Sequence, residues 1–482
     1  MAPLLSTRRL FVAILILALF AMGVHEVADP DFWWHLRTGE YIVENRAIPH
    51  TDIFSFTNPG KEWITHEWLS QVSIYLLYRA GGLPLLIVLF AGIITATFAL
   101  AYWRSTGRPY IAGFVVILGA LATAPTWGVR PQMLSMFLAS LFLWLLDTYQ
   151  SRPLVKYLIP LPIFIILWVN LHSGYALGLG ILGIYLAGMA LDAYLERRLS
   201  AALPTLRPLA IVLALCLVAV PLNPNGFRMF SYPLETLTSP AMQKYIQEWF
   251  SPDFHLLEFQ PFAILLLALI GAGIVSRARI PATWLLLILI FGFASLRSAR
   301  NIPFFALAAV PALASQFTAI LQKPSTPHTS RVSQVPRLSG YLNPLLLIII
   351  GVLVALRVLT IVDNQPQVEQ KQFPDAAVNY IQNNKVQGNL YNTYGWGGYI
   401  IWRLYPQYQV YIDGRADVYG DQFIESYLEI YRAKPGWDAA LAARGVNAAL
   451  VEPDSAIAYA MATAADWQQV YADSHSILFI RK

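Results

Sequence analysis

The sequence predicts a polytopic α-helical membrane protein that ends in a small α/β domain. Of its 482 residues, 57% are hydrophobic and only 13% are charged, about half the charged fraction of a typical soluble protein. Apolar runs of about 17–22 residues recur as far as residue 362, and each is long enough to cross a bilayer as a helix. From residue 363 onward the composition changes to that of a globular domain.

The membrane passes are predicted from sliding apolarity between charged, proline or glycine breaks. We count about eleven, at 7–24, 82–102, 109–126, 131–148, 154–170, 175–193, 206–222, 259–276, 280–296, 302–321 and 341–362. The first run is interpreted as a helix and not as a cleaved signal peptide, because an acidic, tryptophan-rich segment follows it where a small-residue cleavage site would lie.

Loop charges predict the orientation. With the N-terminus in the cytoplasm, every alternate connection is basic, as the positive-inside rule requires. These connections carry Arg8, Arg9, Arg104, Arg108, Arg152, Lys156, Arg197, Arg198, Arg207, Arg277, Arg279, Lys323, Arg331 and Arg337. An odd number of passes then places the C-terminal tail outside and makes 322–340 a cytoplasmic linker.

This topology divides the chain into a transmembrane domain, 1–362, and an outer α/β domain, 363–482. Two outer loops, 25–80 and 223–258, are long enough to hold structure. The first is predicted to contain amphipathic helices at 32–45 and 65–78 that lie in the membrane interface, with Thr65 as a cap. In the tail we predict strands at 388–392, 408–412 and 448–451, helices at 375–384 and 438–444, and a hairpin at 470–480.

Two carboxylates follow the first membrane pass directly, in Asp29-Pro30-Asp31. Ionisable groups at a bilayer are costly to keep there and usually have a task. Either acid could be a general base, a partner of nearby Arg37, or a helix cap. The cap is a serious alternative for Asp31, because the proline holds Asp29 extended and Asp31 then precedes a helix that starts at Phe32.

Three further side chains in the first outer loop, His35, His66 and Glu67, are candidate acceptor or metal ligands. A divalent ion such as Mg²⁺ or Mn²⁺ would suit a diphosphate leaving group. Their spacing matches no tight metal motif, so the sequence leaves metal dependence unknown.

Three arginines break the positive-inside pattern because they fall in short outer loops: Arg130, Arg297 and Arg300. Arg357, near the outer end of the last pass, is similar. Singly, each could snorkel to headgroups or form a structural ion pair. Together they predict an outward-facing site for a lipid phosphate, which arginine binds bidentately. His172 lies at another outer helix junction and is a further candidate contact, or else a satisfied polar group in a helix turn.

The tail contains two glycine-rich motifs, at 394–399 and 413–417. Glycine beside Trp396 and Tyr399 would allow a sugar to stack, or the segment is a tight turn whose aromatic rings belong to the core. A single cysteine, Cys216, excludes a disulfide framework. The chain has no phosphate-binding glycine loop, nucleophile elbow or HExxH, and its net charge of +5 is spread over short loops. Nucleotide, protease and nucleic-acid functions are therefore disfavoured.

The whole pattern resembles the GT-C superfamily of membrane glycosyltransferases, and within it a group of bacterial proteins. The resemblance covers nearly the whole chain, and the matching segments are 31–40, 48–49, 52–57, Trp63, 66–69, 130–132 and 410–415. The resemblance implies a polytopic enzyme of the bacterial cytoplasmic membrane that takes a sugar from a polyprenyl-phosphate donor. It implies that Asp31 or Asp29 is the base, and that Arg130, Arg297, Arg300 and His172 bind the lipid phosphate. Many members carry adjacent acids, and here a proline separates them.

Two other functions are compatible with the sequence. A transporter or lipid scramblase would place its charges near the bilayer midplane and often shows inverted repeats, whereas here the charges lie at the outer edge. A non-catalytic membrane assembly protein would use the tail and not the aspartates. For the enzyme, the acceptor could be a glycan, a lipid or a protein.

Overall fold

The computed structural model describes residues 6–321 and 339–482, and the chain divides into two compact units. The first unit comprises Met1–His25, Ile87–Asn223 and Gln247–Ile361. The second comprises Glu26–Leu86, Pro224–Ile246 and Val362–Lys482. Most of the predicted first outer loop, part of the second and the tail thus fold as one unit. Residues 322–338 of the predicted 322–340 linker, with Lys323, Arg331 and Arg337, lie outside the described residues, and a helix begins at Ser339.

The first unit is built from apolar helices. They are Thr7–Gly23, the second half of Trp68–Arg104, Pro109–Thr123, Gln132–Ser151, Pro160–Leu171, Tyr175–Leu195, Leu199–Ala219, Gln260–Val275, Ala282–Arg297, Ile302–Leu321 and most of Ser339–Gln372. Across the described part of the chain, eight helices are long and apolar enough to cross a membrane, and two shorter apolar helices accompany them. The predicted fold class is confirmed, while the count of eleven passes stays a prediction.

Small residues allow the helices of the first unit to pack closely. Pro109–Thr123 packs along Ile302–Leu321, where a Cβ on Gly119 would collide with Val310. The alanines of Ile302–Leu321 that face this contact are almost fully buried. Close backbone approach of this kind is how membrane helices gain packing energy when lipid supplies no hydrophobic drive.

A buried ion pair joins several of these helices. Arg104 Nε donates to Asp147 at 2.8 Å, and its Nη1 donates to the carbonyl of Leu307. Asp147 also accepts hydrogen bonds from the Tyr185 hydroxyl and, at 2.9 Å, from the Trp284 indole. Arg104 is only 5% exposed. We counted it among the loop charges that predict the topology, but in the structure it forms an ion pair between helices.

Asp147→Asn is expected to destabilise the first unit moderately. Asparagine keeps a carbonyl acceptor but loses the charge that Arg104 needs, at a cost of about 1.5–3 kcal/mol. The change would be measured as a lower melting temperature in detergent, with Asp253→Asn at an exposed position as the matched control. Equal melting temperatures for the two variants would contradict the assigned role.

Trp68–Arg104 consists of two helices that meet at a kink, and they lie where we predicted a separate amphipathic helix and a membrane pass. Gly81 and Gly82 have non-helical backbone angles, with φ of 63° at Gly82, and Pro84 follows. The helix begins at Trp68, and the Thr65 hydroxyl donates to the Pro49 carbonyl. The prediction that Thr65 caps this helix was therefore wrong.

The second unit contains a four-stranded sheet with strands β1 (Asn389–Asn392), β2 (Val446–Val451), β3 (Trp467–Ala472) and β4 (Ile477–Arg481). The order is β1-β2-β4-β3, with β1 and β2 parallel and the other pairs antiparallel. The helices of this unit are Asp31–Asn45, the first half of Trp68–Arg104, Tyr232–Thr238, Pro240–Tyr245, the end of Ser339–Gln372, Asp375–Asn384, Gly397–Leu404, Ala416–Tyr419, Asp421–Tyr431, Trp437–Ala442 and Ala456–Thr463. The predicted hairpin at the end of the chain is β3 and β4.

The predicted strand at 408–412 does not join the sheet as a strand. Val410 forms single bridges with Ser55 and Leu390. Its N–H donates to the Phe54 carbonyl at 3.0 Å, and its own carbonyl accepts from Phe56 at 3.2 Å. The segment is extended as predicted, but the backbone hydrogen bonds of Val410 go to the first loop, a partner that no local pattern indicates, and Tyr411 and Ile412 bond to the Asn392 side chain.

Candidate functional site

The two acids of the Asp29-Pro30-Asp31 motif lie at the start of a helix. Asp31 is the first residue of Asp31–Asn45, and its N–H donates to Asp29 Oδ1 at 2.9 Å. Asp31 Oδ1 accepts from the Trp34 indole at 3.1 Å, and both acids are partly exposed. The capping hydrogen bond thus comes from Asp29, and Asp31 is a carboxylate held by an indole in the favourable field of a helix N-terminus.

The Arg37 side chain, a candidate partner of the acids, is used elsewhere. It pairs with Glu40 and donates to the Tyr405 carbonyl at 2.8 Å. These contacts tie the Asp31 helix, Asp31–Asn45, to the tail.

Glycines in both tail motifs bring backbone against the acids. A Cβ on Gly414 would collide with Asp31 Oδ1, and one on Gly398 would collide with the Pro30 carbonyl and lie 3.3 Å from Trp34. The helix Gly397–Leu404 can therefore pack directly on the Asp31 helix. Close backbone approach to the candidate base explains the glycines.

Trp396 and Tyr399 are core residues of the second unit. Trp396 is 3% exposed and donates to the Gln372 carbonyl, while Tyr399 is fully buried. The Tyr399 hydroxyl donates to Asp375 at 2.8 Å, and its ring packs edge-on against Trp33. Their sugar-binding role stays a prediction, and these contacts favour the alternative of aromatic rings in a core.

The predicted ligands His35, His66 and Glu67 belong to one line of polar contacts. His35 Nδ1 lies 3.5 Å from Glu67, and Glu67 Oε1 lies 2.9 Å from His66 Nε2. The His66 ring packs on Tyr232 at a centroid distance of 4.4 Å, and the Tyr232 hydroxyl donates to Asp417 at 3.1 Å. The line reaches Asp31 through Trp34, whose ring stacks on His35 at 3.7 Å.

His66 is positioned to carry a positive charge. Its Nδ1 lies 3.1 Å from the Ile64 carbonyl, which can only accept, and its Nε2 faces the Glu67 carboxylate. Burial alone would lower the pKa of His66, but the charge and hydrogen bond of Glu67, with the charge of Asp417, raise it above its usual value. A protonated His66 is a poor metal ligand, because a metal requires a free ring nitrogen.

Within 6–321 and 339–482, no group of three or more His, Cys, Asp or Glu side chains is placed to hold a metal ion. The candidate set of His35, His66, Glu67 and the two aspartates is thus not assembled as a metal site.

A fully buried arginine in the second unit was not predicted as functional. Arg415 forms a bidentate pair with Asp413, at 2.8 and 2.7 Å, and its Nη1 lies 2.9 Å from Asp52. All three side chains are fully buried, and the guanidinium covers the Trp63 ring at 4.5 Å. This Asp52–Arg415–Asp413 cluster joins the first loop to the tail directly beside Gly414. The only signal in the sequence was that both segments belong to the resemblance.

In the first unit, Arg130 pairs with Glu248, and Arg300 stacks over the Trp249 ring at 4.4 Å. The Glu248 carbonyl accepts from Ser298 at 3.0 Å. Burial opposes ionisation, but the charge and hydrogen bond of Arg130, with the charge of Arg300, hold the pKa of Glu248 below its usual value. Arg130 therefore forms an ion pair with Glu248, and the charge of Arg300 acts on the same carboxylate.

The remaining candidates, His172, Arg297 and Arg357, lie in other environments. His172 Nδ1 accepts from the Gly174 N–H at 2.9 Å and lies 2.7 Å from Ser135, so the proton of the neutral ring is on Nε2. Arg297 is exposed at the end of Ala282–Arg297. Arg357 donates to the carbonyls of Ala21 and Val24, at 2.7 and 3.2 Å, and so closes the end of Thr7–Gly23. These contacts favour the structural alternative for Arg357.

Two solved structures share this fold across most of the chain. The archaeal oligosaccharyltransferase AglB from Archaeoglobus fulgidus, in complex with an inhibitory peptide and a dolichol-phosphate, superimposes with a TM-score of 0.55 at 11% identity, over 92% of this chain and 69% of AglB. The arabinofuranosyltransferase AftD from Mycobacteria superimposes with a TM-score of 0.51 at 13% identity, over 99% of this chain and 42% of AftD. The chain has the GT-C fold. With its apolar helices, this makes it an integral membrane protein. At such low identity the GT-C likeness concerns the fold, and function has to be argued from the site.

Sequence comparison adds little to the GT-C assignment. No known family profile matches. One curated relative, NAD(P)H-quinone oxidoreductase chain 4 1 from Thermosynechococcus vestitus (strain NIES-2133 / IAM M-273 / BP-1), is 26% identical over 191 residues, 39% of this chain. The match spans 33% of that relative's length.

Proposed function

We propose that the protein is a glycosyltransferase that moves a sugar from a polyprenyl-phosphate donor to an acceptor hydroxyl, with inversion. The carrying observation is Asp31: a partly exposed carboxylate at a helix N-terminus, oriented by Trp34 and approached by the Gly414 backbone. The GT-C fold supports this class of reaction, and the dolichol-phosphate in the AglB structure supports a lipid-phosphate donor.

In the proposed reaction, Asp31 takes the proton of the acceptor hydroxyl as its oxygen attacks the anomeric carbon. The bond from that carbon to the phosphate oxygen breaks, and the polyprenyl phosphate leaves with the electron pair. One displacement inverts the anomeric centre. Asp29, which accepts from the Asp31 N–H, is the alternative base and otherwise fixes the position of Asp31.

Arg130 and Arg300 are proposed to neutralise the departing phosphate. Glu248 would hold Arg130 in position, and Trp249 would hold the Arg300 guanidinium. Arg297 and His172, through its Nε2 proton, are proposed as further contacts. We also propose the bacterial cytoplasmic membrane, with the N-terminus inside and the second unit outside.

The test is turnover by the purified full-length chain. Polyprenyl-phosphate pentoses and hexoses would be supplied with an extract of the bacterial cell envelope, and the product and the released polyprenyl phosphate would be followed by mass spectrometry. Stereochemistry is expected to invert. Lipid scrambling in vesicles without donor turnover would instead support a transporter.

Arg300→Gln is expected to weaken binding of polyprenyl phosphate by about tenfold or more, which is the loss of one hydrogen bond to a charged group. Arg432→Gln, at an exposed position of the tail, is the matched control. Calorimetric titration of each variant with polyprenyl phosphate measures the effect, and equal affinities would remove Arg300 from the site.

A further inference from the structure

The second unit contains a polar cleft that the catalytic proposal does not use. Its volume is about 450 Å³, within the usual range of small-molecule sites, roughly 300–1,000 Å³. Residues of the first loop, of 224–246 and of the tail line it, including Lys61, Tyr232 and Asp417. The cleft therefore exists only when three distant parts of the chain have folded together.

The charges of the cleft select against an anionic ligand. Four acids, Glu62, Glu235, Asp417 and Asp421, face two cations, Lys61 and Arg228. Both cations are already engaged. Arg228 pairs with Glu235 at 2.6 Å and lies 3.8 Å from Glu62, and Lys61 donates to the Tyr419 carbonyl at 3.2 Å. A phosphate or uronate entering here would meet excess negative charge.

Asp417 is the carboxylate best placed to meet a ligand. It is exposed in the cleft, while Asp421 accepts from Ser239 at 2.6 Å. Tyr232, itself buried, fixes Asp417 through the hydrogen bond from its hydroxyl. A fixed carboxylate is a strong acceptor for ligand hydroxyls, and the threonine and serine hydroxyls that line the cleft can both donate and accept.

We propose that this cleft binds a glycan that is rich in hydroxyls and carries no negative charge, with Asp417 accepting a hydrogen bond from one of its hydroxyls. This rests on the proposed function in one respect: the glycan would be the acceptor of the transfer. The contacts from Asp417 through Tyr232, His66 and Glu67 continue to His35 and Trp34, which holds Asp31. These contacts connect the cleft with the candidate base through residues of the same unit.

The test is binding of the full-length protein, in detergent, to an array of uncharged and uronate-containing oligosaccharides without donor lipid. Uncharged glycans are expected to be retained. Asp417→Asn should lower retention by about tenfold or more, and Thr236→Trp, which fills the cleft, should do the same. Asp454→Asn, an exposed acid outside the cleft, should have no effect.

Retention of uronate glycans alone, or of no glycan, would overturn the proposal. Full retention by Thr236→Trp would do so as well. Because the array needs no turnover, a chain that fails to transfer sugar can still bind glycan in the cleft, and a chain that transfers sugar can fail to bind it. The two proposals can therefore fail separately.

Discussion

Asp31→Asn is expected to lower the rate of sugar transfer by about 10²–10⁴-fold, the usual contribution of a general base. Asparagine has nearly the same shape and can still accept from the Trp34 indole, but it cannot take the acceptor proton. The measurement is the initial rate at saturating donor. Unchanged binding of polyprenyl phosphate to the variant would show that the site is intact.

Asp29→Asn separates the two acids. If Asp31 is the base, Asp29→Asn should reduce the rate far less, because the amide oxygen can still accept from the Asp31 N–H. Full activity of Asp31→Asn together with loss in Asp29→Asn would transfer the role to Asp29. Full activity of both variants would exclude both acids as the general base.

A pair of glycine variants tests whether the position of Asp31 matters as well as its charge. Gly414→Ala would push a methyl group into Asp31 Oδ1, whereas a Cβ on Gly395 meets nothing within 4 Å. Gly414→Ala is therefore expected to lose transfer and Gly395→Ala to keep it. Equal rates would show that the approach of the tail backbone is irrelevant to the base.

Arg415→Met is expected to unfold the second unit. It removes the cation between Asp52 and Asp413 and leaves two buried carboxylates without compensation, which costs about 3–5 kcal/mol. The effect would appear as early proteolysis of the tail and a lower melting temperature. Arg432→Met, at an exposed position of the same unit, is the matched control.

A triple variant distinguishes the effect of leaving two carboxylates uncompensated from the effect of losing the packing of the Arg415 side chain. Asp52→Asn/Asp413→Asn/Arg415→Met removes all three charges together, and it is expected to be more stable than Arg415→Met alone, because no unpaired charge stays buried. A single variant as stable as the wild type, or a triple variant less stable than the single one, would contradict this account of the Asp52–Arg415–Asp413 cluster.

The sequence predicted the parts of the fold that depend on local patterns. The helix 375–384 and the final hairpin follow from periodicity within a few residues, and the membrane class follows from apolar length. The segment 408–412 was predicted as extended, but its partner was not, because the backbone hydrogen bonds of Val410 go to Phe54 and Phe56 far away in the chain. Thr65 failed as a cap because the helix begins only at Trp68, three residues later, and the Thr65 hydroxyl instead donates to the distant Pro49 carbonyl.

In the candidate site, too, residues that a local pattern identifies were predicted, and residues whose importance depends on tertiary contacts were not. Asp29 and Asp31 were found because acids directly after a membrane pass are unusual in themselves. Asp417 was not singled out, because its significance comes from Tyr232 and from a cleft built from three segments. Glu248 was not predicted, because its pairing with Arg130 depends on tertiary packing. The glycine-rich tail motifs suggested sugar binding, whereas Gly414 provides space for Asp31.

The Asp31 helix depends on contacts with residues that the ribosome adds much later. Arg37 and the Tyr405 carbonyl are 368 residues apart in sequence, and Gly398, Gly414 and Arg415 are similarly distant. Loop closure over such separations is slow and entropically costly. A nascent chain can thus insert every apolar helix while its first acidic loop is still unstructured. The Asp31 carboxylate would reach its final position only after the tail has folded against the first loop. The unfinished protein would therefore carry no active general base.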